Sequence, residues 1–468
     1  MVNNSLYSTM FVATMPSTIV VGGGNAGLSC AIELAINGID TTILESAPEF
    51  YRGGNSKYTR DIRYAHEEDR FTSGSYSDKE LLADLVSVSG ELPDEPLARE
   101  VIERSRKMPY WMESNGILFK KEIRGTLDLS RTNAFFLGGG KSLMNTYYER
   151  AGKLGIKVVY NAEVTDIKFK NGRFDGLSVS IEGARKEISA DNLVVCSGGF
   201  EANKPWLSEI WGERARNFKI RGTRFNTGAP LRSLLANGIK SIGDPMNGHM
   251  IAVDQRSPEF DGGIVTRIDA IPKGIVLNSR CERFYDEGEE IWPKRYAIWG
   301  HLLAEQENQR AFAVIDSKMY NNFMPTAYPP AASNSLDDLA GKLDLPKDKF
   351  VSIVKEYNSH VICTEDARDH FNCHTSGLSP EKSHFSTTID VPPFYGYPLS
   401  PGLTFTYMGV RIDRTGRVVS EDGPVENLYA AGEIASGNIL KSGYLAGFGL
   451  TIGTTLGWKA AEGIINDR

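Results

Sequence analysis

Thr18-Ile-Val-Val-Gly-Gly-Gly-Asn-Ala-Gly27 is the stretch on which the reading of this 468-residue chain turns. Thr18 to Val21 has the pattern of a buried strand, and the cluster Gly22-Gly-Gly24 breaks it. An Ala/Leu/Ile-rich helical segment follows, stopped by Asn37-Gly38, and a second strand pattern, Thr41-Thr-Ile-Leu44, ends on Glu45. Glu45 lies 21 residues after Gly24, as expected of a βαβ unit that takes a dinucleotide. Gly22 permits the tight turn, Gly24 lets a pyrophosphate reach the backbone, and Gly27 allows close helix–strand packing. The helix N-terminus offers free N–H groups to phosphates, and Glu45 offers an acceptor to ribose hydroxyls.

Working outward, Ser77 and Glu80 stand at capping-box spacing ahead of a helix that runs to Gly90. A second helix is predicted from Pro96 to Asn115-Gly116, and a third after Gly138-Gly-Gly-Lys141, with Leu143, Tyr147 and Tyr148 on one face. Asn171-Gly172 signals a hairpin, and Asn192-Leu-Val-Val-Cys196 is a further buried strand leading into Ser197-Gly-Gly-Phe200. Between about Pro230 and Pro392 the composition turns to Asp, Glu, Arg, Trp and Pro, with helices predicted near 336–343 and 347–359. The buried-strand pattern resumes at Asn427-Leu-Tyr-Ala-Ala431, before Gly432-Glu433. An interrupted and resumed nucleotide fold implies an insertion: residues 16–230 and 391–468 form one domain, 231–390 another.

Apolar residues make up 41% and charged residues 24%, as in ordinary globular proteins, and a net charge of −7 gives no footprint for nucleic acid. Five scattered cysteines (Cys30, Cys196, Cys281, Cys363, Cys373) suit a reducing compartment better than a disulfide scaffold. Residues before Pro16 carry no Lys or Arg, so the basic n-region of a secretory signal is missing. The apolar run Ile19 to Ile36 holds Gly22, Gly23, Gly24, Asn25 and Glu33, a load ill suited to a membrane span. A soluble, cytoplasmic protein is expected. Cys363, His370, Cys373 and His374 lie close together but fit no standard zinc spacing, so no metal is expected.

Gly53-Gly-Asn-Ser56 and Ala431-Gly-Glu433 separate a flavin dinucleotide from a nicotinamide one. With Ser197-Gly-Gly-Phe200 they resemble the fumarate reductase/succinate dehydrogenase flavoprotein superfamily. Within it, Arg52 to Ser56, Arg131 to Phe136, Ile220-Arg-Gly-Thr-Arg-Phe-Asn-Thr-Gly228, Arg283 to Gly288, Trp292 to Gly300 and Pro392 to Gly396 resemble the tricarballylate dehydrogenases. The resemblance spans the chain from about Pro16. It implies a doubly wound, Rossmann-like α/β FAD-binding domain with an inserted α+β capping domain. It also implies an FAD-dependent enzyme that desaturates a small polycarboxylate, tricarballylate to cis-aconitate, by hydride transfer to flavin N5. Electrons would pass to a membrane-bound iron–sulfur protein, with the flavoprotein peripheral to that membrane. No histidine flanks Gly53-Gly54, so the FAD would be non-covalent.

The cofactor contacts implied are Gly22, Gly24, Asn25, Ala26, Gly27, Glu45 and Ser46 at the first unit, then Gly53, Gly54, Asn55, Ser56, Gly140 and Val164. Further along come Ser197, Gly198, Gly199, Asn203, Gly432, Glu433, Thr451 and Ile452. For the cap arginine that moves the substrate proton, Arg295 is the candidate, with Lys294 as its neighbour. His249 matches the superfamily's cap histidine loosely, and Arg267 is the arginine near it. Thr406-Tyr407 replaces a second substrate histidine, and Lys441-Ser-Gly-Tyr444 replaces a late Arg-Leu-Gly-Gly, departures that argue against plain fumarate or succinate. Cations are needed because carboxylates entering a dry pocket must be paired, and Lys441 is a candidate third. Arginine is essentially never neutral, so Tyr407, Tyr296 or His249 could be the base instead of, or in relay with, Arg295. Plainer roles compete: Arg295 stacking on aromatics or pairing with Glu289, His249 hydrogen-bonded in the core, Tyr407 filling space. Two other functions remain open, a 3-ketosteroid-type dehydrogenase and a non-catalytic flavin-binding biosynthesis module.

Overall fold

The computed structural model describes residues 17–120, 129–289, 296–363 and 370–467. Strand β1 (Ser17–Val21) sits inside a six-stranded sheet, parallel to β2 (Asp40–Leu44) on one side and to Asn192–Val195 on the other. Lys157–Val159 continues the sheet beyond β2; Gly423–Ala430 and the antiparallel Arg417–Ser420 continue it beyond Asn192–Val195. Chain order therefore reverses at β1, which opens a crevice at the carboxyl ends of the strands. Helix α1 (Asn25–Ile36) leaves the turn after β1 with Gly24 as N-cap, which offers no side-chain cap, and the Asn25 N–H donates to Ser56 Oγ (3.0 Å).

The last helix, Phe448–Asn466, packs on α1. Asn25 fastens the contact by donating through Nδ2 to the Leu450 carbonyl (3.1 Å) and Thr454 Oγ1 (2.9 Å). Residues separated by more than four hundred positions thus share one wall of the crevice.

The second large sheet is centred on one 13-residue strand, Phe394–Thr406. It pairs antiparallel with Gly248–Asp254, Ala311–Asp316 and Ala331–Ser333, and parallel with Lys219–Ile220. A separate small core (Ile275, Phe312, Leu339, Phe350, Tyr357) lies beneath helices Leu336–Lys342 and Lys347–Ser359. Composition places the return to the nucleotide fold at residue 391, and Phe394–Thr406 is the central strand of this second sheet. Its alternation of apolar residues reads alike in either sheet, because only its partners differ.

Local signals mostly become the elements they imply. Ser77 caps Asp78–Ser89 by accepting from the Glu80 N–H (3.3 Å), while the Glu80 carboxylate turns away to Arg131. Asn171 and Gly172, both at positive φ, close the hairpin between Ala162–Lys170 and Arg173–Ile181. The helix begun near Pro96 is two helices, Glu95–Ser105 and Met108–Ser114, because Pro109 has no N–H to continue the first.

Cys363 and Cys373 form a disulfide, which corrects the expectation of cysteines without a bridge; Cys30, Cys196 and Cys281 are free and buried. The ladder explains the pairing: Ile362 opposes His374 in the antiparallel pair, so the next residues along each strand face each other. His370 comes within 4.0 Å of the Cys373 sulfur, whereas His374 turns its Nδ1 to the Asn372 carbonyl. As a disulfide the pair offers no thiolate ligand.

Gly27 tests the turn. A Cβ there would overlap the Gly22 carbonyl oxygen. Alanine in a helix ordinarily adds stability, by about 0.5–1 kcal/mol over glycine. Here Gly27→Ala is expected to destabilise, by about 1–3 kcal/mol as overpacking does. Denaturant unfolding measures this, and a gain in stability would show that α1 does not press on the turn.

Candidate active site

One cavity of 1520 Å³, mouth included, is lined by residues from Val21 to Gly453. Gly22, Gly24, Asn25, Ala26, Glu45, Ser46 and Val164 line one part of it; Gly54, Asn55, Ser56, Ser197, Gly198, Gly432 and Glu433 line the next. Glu45 Oε2 accepts from the Gly23 N–H (3.1 Å) and Oε1 from that of Ala47 (2.9 Å), which aims the carboxyl. Burial raises its pKa above the ordinary carboxylate range, and those two N–H bonds oppose the rise. An uncapped helix N-terminus, a glycine turn without side chains and a fixed carboxyl together fit an adenosine diphosphate group.

Other expected contact residues stand behind the wall. Gly27 packs under the turn, and Gly53 (φ 97°) passes so close to Met144 that a Cβ would collide with it. Gly140 seats helix Gly139–Lys153 on the Ser56 carbonyl, and Gly199 leaves room for Thr406 and Glu433. Asn203 caps helix Lys204–Trp211, accepting from the Trp206 N–H (3.1 Å). Thr451 and Ile452 are buried in the last helix, the Thr451 hydroxyl donating to the Arg63 carbonyl. These seven hold the lining segments in place and are absent from the lining itself.

A further part of the cavity is lined by Arg221, His249, Arg267, Tyr296, Phe405 and Tyr444. Arg221 and Arg267 are 8% and 5% exposed. Arg267 donates to Asp269 (2.7 Å) and lies over the Tyr296 ring at 5.0 Å. Among the described residues its Nε, with Nε and Nη1 of Arg221, has no hydrogen-bond partner. Burial, with the Arg267 charge beside it, pulls the Arg221 guanidinium down to about 10, so it stays charged at neutral pH. His249 stacks on Tyr444 (3.9 Å between centroids, 13° between planes) and meets Tyr296 edge-on at 5.6 Å. Burial first, then Arg221 and Arg267, hold the imidazole neutral with its pKa well below the usual histidine value; its Nε2 is unpartnered.

Two sequence candidates lie elsewhere. Lys441 is on the surface, its side chain 55% exposed and paired with Glu91 at 2.7 Å. The cause is local: Gly443 crosses so tightly over the Val88 carbonyl that Lys441 is left outside and Tyr444 is carried in. Tyr407 is fully buried, outside the lining, with its hydroxyl donating to the Gly443 carbonyl, so it fills the core. Arg295, Lys294 and Trp292 lie outside the described residues.

Arg221 and Tyr444 were not singled out. Both lie in quoted strings, but the neighbouring Arg224 and Lys441 offered the same charge signal. The available clue at Arg221 was the apolar Ile220 before it, which is wholly buried in a strand; Arg224 instead binds Asp261 (2.9 Å) and is half exposed.

Residues 17–450 match the sequence profile of the FAD binding domain family. This chain belongs to that family. FAD is its cofactor, and the residues that line the glycine turn and the Glu45 side would hold its adenosine diphosphate half.

Among relatives, NADH:fumarate oxidoreductase of Klebsiella pneumoniae (strain 342) is 25% identical over 436 residues. That match covers 90% of this chain and 44% of the relative, so the chain spans under half of that protein's length. Fumarate reductase 1 of Saccharomyces cerevisiae is 27% identical over 502 residues, covering 97% of this chain and all (100%) of the relative. The crystal structure of 3-ketosteroid delta1-dehydrogenase from Sterolibacterium denitrificans superposes with a TM-score of 0.74 at 16% identity, covering 97% and 100% of the two chains, and shares the fold.

The placement of the cations makes a direct comparison. Removing one partner of a buried charge pair typically costs about 2–5 kcal/mol, so Arg221→Met should weaken binding of a small carboxylate anion by roughly thirtyfold or more. Lys441→Met should bind it as the parent does. Titration of the flavin spectrum reads both, and a larger effect at Lys441 than at Arg221 would contradict the assignment.

Proposed function

We propose that this protein is an FAD-dependent oxidoreductase acting on a CH–CH bond of a small polycarboxylate, tricarballylate in particular, and forming cis-aconitate. The observation that carries this reading is the set of three unpaired guanidinium nitrogens, Nε and Nη1 of Arg221 and Nε of Arg267, buried in the cavity wall. An unpaired buried cation is strongly unfavourable, and a carboxylate accepting from planar guanidinium groups offsets that penalty. Asp269 pairs with Arg267 and its charge also reaches Arg221, while the three nitrogens remain open to a carboxylate among the described residues.

Bound FAD supplies the hydride acceptor. The chain's own residues then have three tasks. Arg221 and Arg267 fix the substrate carboxylates, Phe405 and the tyrosine rings exclude water, and a base takes the proton from the carbon next to the one that loses hydride. His249 fits the last task, because it is neutral and its Nε2 is free to accept. The two arginine charges that depress its basicity are the ones a polycarboxylate would neutralise, so substrate binding itself would strengthen this base. Electrons are proposed to leave to a separate iron–sulfur protein at the membrane, with this chain cytoplasmic. Among the described residues no helix is long and apolar enough to cross a membrane.

Anaerobic mixing of the flavin-loaded protein with tricarballylate, succinate and a 3-ketosteroid tests the substrate. Tricarballylate is expected to bleach the flavin at least about tenfold faster than succinate, a barrier difference of about 1.4 kcal/mol. Equal rates for the two acids, or bleaching by the steroid alone, would overturn the reading.

A second measurement addresses the base. His249→Gln should lower kcat by on the order of a hundredfold or more with KM little changed. An unaltered kcat would return the role to the 290–295 segment that contains Arg295.

A further inference from the structure

Two carboxyl groups outside the cationic cluster meet in the wall of the same cavity. Glu201 is 0% exposed and Glu433 8%, and Glu433 lines the cavity. Glu201 Oε1 accepts from the side-chain amides of Asn55 and Asn226, both at 2.7 Å. Glu433 Oε1 accepts from the Thr406 N–H (2.8 Å) and hydroxyl (3.2 Å), and its Oε2 receives only a long 3.4 Å contact from Asn226. Among the described residues every hydrogen-bond donor to the two acids is an uncharged amide or hydroxyl.

Glu201 Oε2 has no partner although it is buried. Gly199 shows where it points: a Cβ at that position would overlap Glu433 Oε1 and lie 2.8 Å from Glu201 Oε2. The two carboxyls therefore converge on one spot, and only a glycine leaves them room. Tyr407, the titratable side chain beside Glu433, has its hydroxyl occupied by the Gly443 carbonyl.

Ionising both acids would bury two like charges at short range without a cation, which proteins avoid by keeping a proton on one. Protonating both would waste the donors from Asn55, Asn226 and Thr406 on neutral groups. One proton resolves both problems and supplies the missing bond at Glu201 Oε2.

We propose that Glu201 and Glu433 share a single proton, forming a buried acid–carboxylate pair that presents one negative charge to the cofactor cavity through Glu433. Burial raises the pKa of both carboxyls above the ordinary range, and the Glu201 charge raises Glu433 further. The pair is a positioning device as well as a charge. Through Asn55 it holds the Thr404 carbonyl (2.6 Å) and the Thr223 N–H (2.8 Å), so segments near residues 55, 201, 223, 404 and 433 are tied to it. It does not depend on which substrate the enzyme takes.

Infrared spectroscopy of the flavin-loaded protein, with and without carbon-13 glutamate and in light and heavy water, is the test. A protonated-carboxyl C=O band should persist at pH 8, where free glutamates are ionised, and shift with both labels. Glu201→Gln and Glu433→Gln should each abolish it, because the new amide donates to the remaining carboxylate in place of the proton. Absence of the band in the parent protein overturns the proposal whether or not the variants fold. A band that survives either substitution also overturns it, since the proton would then belong to one acid alone or to Glu45.

Discussion

Charge taken out of water is the constraint on which the site depends. Arg221 and Arg267 are buried, and among the described residues three of their guanidinium nitrogens have no hydrogen-bond partner. A fold that keeps such groups in its wall is organised for an anionic visitor. Burial first, and then the charges of Arg221 and Arg267, hold His249 neutral. Across the cavity the sign reverses, with Glu201 and Glu433 buried among neutral amides. One cavity therefore has a part lined by buried arginines and a part bordered by buried carboxyls.

These faces are built from segments far apart in the chain. Arg221 follows a two-residue strand, His249 lies on Gly248–Asp254, and Phe405 is near the end of Phe394–Thr406. All three strands hydrogen-bond in one sheet, whose central strand then delivers Thr406 to Glu433. That strand therefore joins the second sheet to the segment that carries Glu433.

Much of the nucleotide fold was legible in the residues. Glycine spacing, a strand before it and an acid after it leave few alternatives, because each residue answers a local demand: a turn, a close approach, an acceptor at a set distance. Helix caps and the Asn171-Gly172 hairpin were readable for the same reason. Of the two cavity arginines, Arg267 was named from the sequence and Arg221 was not. Lys441 and Arg221 both lie in strings that suggested a substrate site, and charge alone does not tell a solvated lysine from a buried arginine. The cysteines show the same limit: ten positions separate Cys363 from Cys373, and a strand ladder makes them opposite neighbours.

By itself, the sequence determined that a dinucleotide is held on a βαβ turn, since the demands of that unit are met within about thirty residues of chain. Only the tertiary structure decided which charged groups face the cavity. Whether a side chain points inward depends on what its backbone crosses, as Gly443 does over Val88, turning Lys441 out and Tyr444 in. Burial, and with it the strength of every charge in the site, belongs to the packed molecule and has no local signature in the chain.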